Sequence, residues 1–227
     1  MKIKLKRASI EDMKNAAKVS SKKITSEKYR DDVRVFLDEM RIFEIKPEKI
    51  VGMIIKAFDD LKLPLSGEQL RIRFQQSINL IVLILRILKE HGTIDELSIV
   101  TYSLNKIAFN ILRDTIQAGK IKKVNFVLSS SNRFRNEKHL NYLINESKAL
   151  FENNFDISFV MAWTHSKITL ARCGENYYQF EGSMNYSMNN MAEQIIFENN
   201  KELYDFDYEL ISKTMQDTNN KALEIII

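Results

Sequence analysis

Between residues 26 and 91, apolar positions recur every three or four residues, the period of a helix with one buried face. Val33, Phe36, Leu37 and Met40 form one such stripe. Ile50, Ile54, Ala57, Phe58 and Leu61 form a second, behind Pro47, which suits the first turn of a helix. Pro64 then interrupts the chain. Ser66 with Gln69 fits a capping box that opens a third helix, running to about Glu90 and stopping at Gly92.

Beyond Gly92 the pattern alternates between two periods. ELSIVTYSL, KKVNFVLSS and FDISFVMAW are short β-branched runs that predict strands. Between them lie two helical stretches, one with Ile107, Ile111 and Ile116 on its apolar side, the other with Leu140, Leu143, Ile144 and Leu150. KITLARCG and YYQFEGS, joined by a turn at 174–176, predict a hairpin; EQIIFEN predicts one more strand, and KELYDFDYELISKTMQ a closing helix. The order predicts an α/β fold: a mixed, mostly parallel sheet with helices on both faces, preceded by an all-helical N-terminal region. Residues 1–65 are the helical region and 66–227 the sheet domain.

Composition narrows the class. The chain has 227 residues and 44% hydrophobic content, enough for a sizeable core. Its single cysteine, Cys173, excludes a disulfide scaffold and a cysteine-rich zinc site. The longest apolar run, 78–88, contains Asn79 and Arg86 and is too short to cross a bilayer. The N-terminus is charged rather than apolar, so it is no signal peptide, and a cytoplasmic protein is expected. Charge is uneven: residues 1–95 hold 20 Lys/Arg against 14 Asp/Glu, and the first 23 residues alone hold eight bases and two acids. Such a basic arm attracts phosphate backbones, and it equally fits a solvated tail.

The candidate chemistry lies between the third strand and the hairpin. His165 and Lys167 are two apart and project together at a strand junction, where ligand sites of α/β sheets lie. Ser183 and Asn185 follow Gly182 at the end of the hairpin with the same spacing. An imidazole can attack or carry a proton near neutral pH, and a lysine, a hydroxyl and an amide can hold phosphoryl oxygens. With no carboxylate cluster beside them, the set points to phosphoryl transfer without a metal.

HSK followed by GSMN resembles the H-x-K … G-S-x-N signature of the phospholipase D superfamily of phosphodiesterases. The resemblance covers about Gln69 to Leu210 and implies a phospholipase D-like fold for the second domain. It implies that His165 is the nucleophile, that Lys167, Ser183 and Asn185 bind phosphate, and that Glu193 orients His165. The chain departs from the fuller family pattern at Arg172, where that pattern has an aspartate, and in a longer interval between Lys167 and Gly182. Nuclease-like members often lack that aspartate and carry a longer hairpin. The implied reaction uses two histidines and a phosphohistidine, yet only one H-x-K is present. A homodimer sharing one active site supplies the second copy; His91 and His139 lack the accompanying residues and read as structural or surface groups.

Arg133, Arg135 and Lys138, on the loop after the second strand, offer cations to a nucleic acid, and Phe134 offers a stacking face. Tyr102 and Gly182 complete the expected substrate-binding set, while Trp163 reads as core. The expectation is thus a cytoplasmic endonuclease that needs no metal or other cofactor and acts on nucleic acid, DNA foremost, away from membranes. Two alternatives stay open: a catalytically inactive nucleic-acid-binding protein of the same fold, and a phospholipase acting on lipid phosphodiesters.

Overall fold

The computed structural model describes residues 48–55, 61–74, 79–132, 136–187, 193–216 and 224–225. The stripe at 33–40 and the basic arm lie outside them.

A nine-stranded mixed sheet organises the chain. Its elements in chain order are β1 (Lys49–Ile55), β2 (Glu68–Phe74), α1 (Ile81–His91), β3 (Glu96–Thr101), α2 (Lys106–Gln117), β4 (Lys123–Ser129), α3 (Glu137–Glu152), β5 (Asp156–Ala162), β6 (Ile168–Cys173), β7 (Asn176–Gly182), β8 (Glu193–Asn199), α4 (Lys201–Gln216) and β9 (Glu224–Ile225). The strand order is β1-β2-β8-β7-β6-β3-β4-β5-β9. The parallel pairs are β1–β2, β3–β4 and β4–β5. The other five are antiparallel, so the parallel share is smaller than the sequence suggested.

The central β3-α2-β4-α3-β5 order and the β6–β7 hairpin stand as read. Asn105 caps α2 by accepting from Ala108 N at 2.8 Å, and Asn136 caps α3 by accepting from His139 N at 3.1 Å. Gly92 ends α1 with φ 77°, its N–H reaching Leu88 O at 2.9 Å, a conformation that favours glycine.

The region before α1 differs from the reading. The helix expected over 47–61 is replaced by β1, whose Ile50, Val51, Ile54 and Ile55 are β-branched and favour extended backbone. The helix expected from Ser66 is a turn followed by β2. Leu70, Ile72 and Phe74 are buried there while Arg71 and Arg73 are exposed, the alternation of a strand with one covered face. Among the described residues of that stretch, 81–91 are helical.

Two apolar layers enclose the sheet. On one face, alternate residues such as Leu97, Ile99, Phe126 and Phe159 pack with α1, α2 and α3. On the other, Val100, Val127, Ala162 and Leu170 meet Tyr204 and Ile211 of α4. Period-two alternation is what lets one strand serve both layers. Among the described residues, no helix is long and apolar enough to cross a membrane.

Candidate active site

One edge of the sheet gathers the chemistry. β3, β5 and β7 end there at Thr101, Ala162 and Gly182, and β6 and β8 begin there at Ile168 and Glu193. Ligands in α/β sheets bind outside such carboxyl ends, where loops leave the strands.

His165 lies in the segment linking β5 to β6 and is exposed. The segment is held locally: Thr164 N donates to Ala162 O at 2.9 Å, and Ser166 N to Thr164 Oγ1 at 3.1 Å. The Tyr102 ring flanks the imidazole, with centroids 4.7 Å apart at 47°. Lys167 Nζ donates to His165 O at 3.2 Å and lies 3.4 Å from Nδ1. An ammonium can only donate, so this contact needs a bare Nδ1, which puts the proton of the neutral ring on Nε2, facing away from the lysine.

Tyr102 is itself positioned by its backbone. Asn132 Nδ2 donates to Tyr102 O at 2.7 Å and to Ser129 O at 2.8 Å, tying the ends of β3 and β4 together. His139 Nε2 reaches Leu104 O at 2.7 Å and steadies the same loop, while His91 Nε2 lies 2.9 Å from Tyr178 OH. Both of these histidines sit in structural contacts.

The 182–186 segment crosses the same edge. Ser183 Oγ donates to the Glu193 carboxylate and accepts from Gln194 N at 3.3 Å, so Glu193, which is buried, holds Ser183. Asn185 Oδ1 lies 3.5 Å from Thr101 Oγ1 at the end of β3. Tyr186 anchors the segment. It is buried, its hydroxyl is 2.7 Å from Thr169 Oγ1, its N–H donates to Ser103 O at 3.0 Å, and its carbonyl accepts from Asn105 N at 2.8 Å. Gly182 is required sterically: a Cβ there would stand 2.2 Å from Gln194 O, so the glycine lets β7 and β8 close up beside Ser183.

An open cleft of about 440 Å³ adjoins His165, Lys167 and Gly182 and extends to Arg71, Arg73 and Glu181. Neither arginine is among the expected site residues, because a helix over this stretch gives them no common face with His165; the alternation of Leu70, Ile72 and Phe74 is the sequence signal for the strand that does. Trp163 corrects another expectation. It is 71% exposed rather than part of the core, because β5 ends at Ala162, one residue earlier. Arg133, Phe134 and Arg135 lie outside the described residues; Lys138 is exposed near the start of α3.

Arg172 stands at the other end of β6. It is paired with Glu96 in the strand register, and its guanidinium is 3.8 Å from Asp95 and 3.7 Å from Glu96. The residue in place of the family aspartate therefore touches none of the groups around His165. Cys173 beside it is buried, and that burial, with Asp95 adding, pushes its thiol up to about 12, too high for a nucleophile at neutral pH. Among the described residues, no three His, Cys, Asp or Glu side chains converge as metal ligands would.

No protein-family model and no curated protein matches the chain in sequence. Among solved structures, the chain is similar to a polyphosphate kinase from Porphyromonas gingivalis, with 17% identity and a TM-score of 0.44 over 63% of this chain and 25% of that one. It is similar to NucT from Helicobacter pylori, with 15% identity and a TM-score of 0.42 over 64% of this chain and 95% of the other. It is also similar to a phosphatidylserine synthase from Haemophilus influenzae, with 10% identity and a TM-score of 0.49 over 69% of this chain and 39% of that one. The chain thus spans a quarter of the kinase and about two fifths of the synthase. His165, Lys167, Ser183 and Asn185 lie at one end of the mixed sheet of this chain.

Proposed function

We propose that this chain is a phosphodiesterase of the phospholipase D type that cleaves nucleic acid, working as a homodimer whose two copies of His165 share one site. The observation that carries the reading is the placement of His165: exposed at the sheet edge, flanked by Tyr102 and Lys167, and open to a cleft that also holds two arginines.

In the first step, Nε2 of one His165 attacks phosphorus and the bond to the leaving oxygen breaks. His165 of the second copy, entering as the imidazolium with its own Lys167 turned from Nδ1, donates its Nε2 proton to that oxygen. In the second step, the now neutral histidine takes a proton from water, whose oxygen displaces the imidazole of the phosphohistidine. Lys167, Ser183 and Asn185 hold the non-bridging oxygens while charge builds there. The attacking ring needs a bare Nε2, so its Lys167 must turn from Nδ1 toward the substrate phosphate. The one Ser183 hydroxyl proton goes to Glu193 before substrate enters, so it must turn from Glu193 to the phosphoryl oxygen, as Lys167 turns from Nδ1. The site is proposed to work without a metal, in the cytoplasm.

The test is incubation with plasmid and single-stranded DNA in EDTA. Cleavage by wild type that falls at least ~10⁴-fold in His165→Ala is expected, the size typical of losing a covalent nucleophile. Binding without cleavage in wild type would favour the catalytically inactive alternative. The lipid reading gains one observation, Trp163 exposed two residues before His165, since an amphipathic aromatic suits a membrane interface. Headgroup release from phospholipid vesicles without nicking of DNA would favour it.

A further inference from the structure

We propose that Arg71 and Arg73 bind the phosphates next to the one that reacts, so that the cleft takes a strand of several linked phosphodiesters rather than an isolated one. The inference rests on the reading of His165 as the reacting group.

β2 turns its apolar residues to the core and its two arginines to the opposite face, which is where the cleft opens. Arg73 pairs with Gln194 on β8, and Gln194 O accepts from Ser183 N at 3.2 Å on the next strand. Arg73, Gln194 and Ser183 therefore form one row across three strands. Two inter-strand spacings separate the ends of that row, about 9.5 Å between Cα atoms. Arg71 lies in the next row inward on the same face, about 7 Å further along β2. A polymer with a phosphate at Ser183 and Lys167 would pass both arginines as it leaves along the cleft. A lone phosphodiester would reach neither.

The arginines are built for an anion to differing degrees. Arg71 Nε donates to Gln69 Oε1 at 3.0 Å, and Gln69 Nε2 in turn donates to Glu198 Oε1 at 2.6 Å. This relay occupies the Nε of the guanidinium. Arg73 has no ion-pair partner among the described residues, and both side chains are exposed. Glu181 shares the cleft and sits one strand beyond Ile196 from Arg71. It opposes an anion on that side, so the path runs on the arginine side. A guanidinium presents a planar fork that matches phosphate oxygens.

The test measures binding apart from turnover. In the full chain carrying His165→Ala, affinity for a fluorescent single-stranded oligonucleotide is followed by anisotropy across a salt series, with and without Arg71→Gln plus Arg73→Gln. Thermal melts and size-exclusion elution check that the variants keep their fold and assembly. The expected result is a loss of roughly 10–100-fold in affinity at about 0.1 M salt, with the slope of log K against log salt shallower by about 1.4, two single-strand phosphate contacts. With His165 intact, the double variant should lose at least about tenfold more turnover on the oligonucleotide than on bis(p-nitrophenyl) phosphate. Unchanged affinity and slope, equal losses on both substrates, or a changed oligomeric state in place of an affinity loss would each overturn the inference. A wild type that turns over neither substrate would defeat the reading of His165, while the anisotropy series would still decide the arginines.

Discussion

The two ends of the same strands are built on opposite principles. At the end far from His165, charged groups are consumed by one another. Glu96 is buried and accepts from Tyr208 OH at 2.8 Å, Lys123 Nζ at 2.8 Å and Asn125 Nδ2 at 3.2 Å. Asp95 accepts from Lys122 Nζ at 2.7 Å and from Gly174 N at 2.8 Å. Burial alone would raise the Glu96 carboxyl, but its Lys123 and Tyr208 bonds outweigh it and the group lies below the usual range. Asp95 is held low by its Lys122 bond and then by Gly174 N–H. At the other end, His165 and Ser166 are exposed and border an open cleft, and Ser183, next to Gly182 of that cleft, is exposed too. Paired charges join β3, β4, β6 and α4 into one body. Open ones wait for something from outside. The comparison teaches that Arg172, the main departure from the family motif, belongs to the first kind.

The comparison is broken most directly at Glu96. Glu96→Ala should lower unfolding free energy by about 3 kcal/mol, the scale of opening a buried charged network, while leaving DNA cleavage per folded molecule within about threefold of wild type. Urea melts and active-site-normalised rates measure the two. A hundredfold fall in rate would show that the ends are coupled.

Between the ends, α4 places Asp207 over β7, where Gln179 Nε2 donates to it at 2.5 Å and Glu181 and Glu198 add like charge. Burial is the larger cause, and it raises the carboxyl to about 6. The folded chain therefore holds this proton more tightly than the unfolded chain does. Its contribution to stability is full in acid and is lost as pH rises from about 4 through about 6. Asp95 and Glu96 have the opposite sign: their stabilisation is present near neutrality and is lost as pH falls below the usual carboxylate range. Asp207→Asn should raise stability at pH 7–8 by about 2 kcal/mol and flatten the difference from wild type below pH 4. Melts of the two proteins across that range decide it; a constant difference at every pH would sink the assignment.

The smallest effect sharpens the comparison. Arg172→Ala should cost at most about 1 kcal/mol, because its ion pairs are long and half in water, and should leave cleavage unchanged. Loss of activity with stability intact would return the motif position to the active site.

How much of this was legible in the sequence follows from range. The β3-α2-β4-α3-β5 run could be read because each element declares itself locally, through β-branched runs and through apolar stripes at helical spacing. His165, Lys167, Ser183 and Asn185 could be singled out because their spacing is a short-range feature. β2 was harder to read, because its alternating Leu70, Ile72 and Phe74 run almost directly into the apolar helix at 81–91 and one of its two partners, β8, lies over a hundred residues away. With β2 misread, Arg71 and Arg73 had no face to share with His165. The contacts of Asn132 and Tyr186 depend on loops meeting in space, which no local period encodes.

The exposed Trp163 carries a practical consequence. It is the sole tryptophan of the chain and stands two residues from His165. Indole emission from this protein therefore comes from a single, water-facing fluorophore beside the reacting imidazole. Its quenching or blue shift on adding a ligand would give an unlabelled optical titration of occupancy, while global unfolding would alter its colour little.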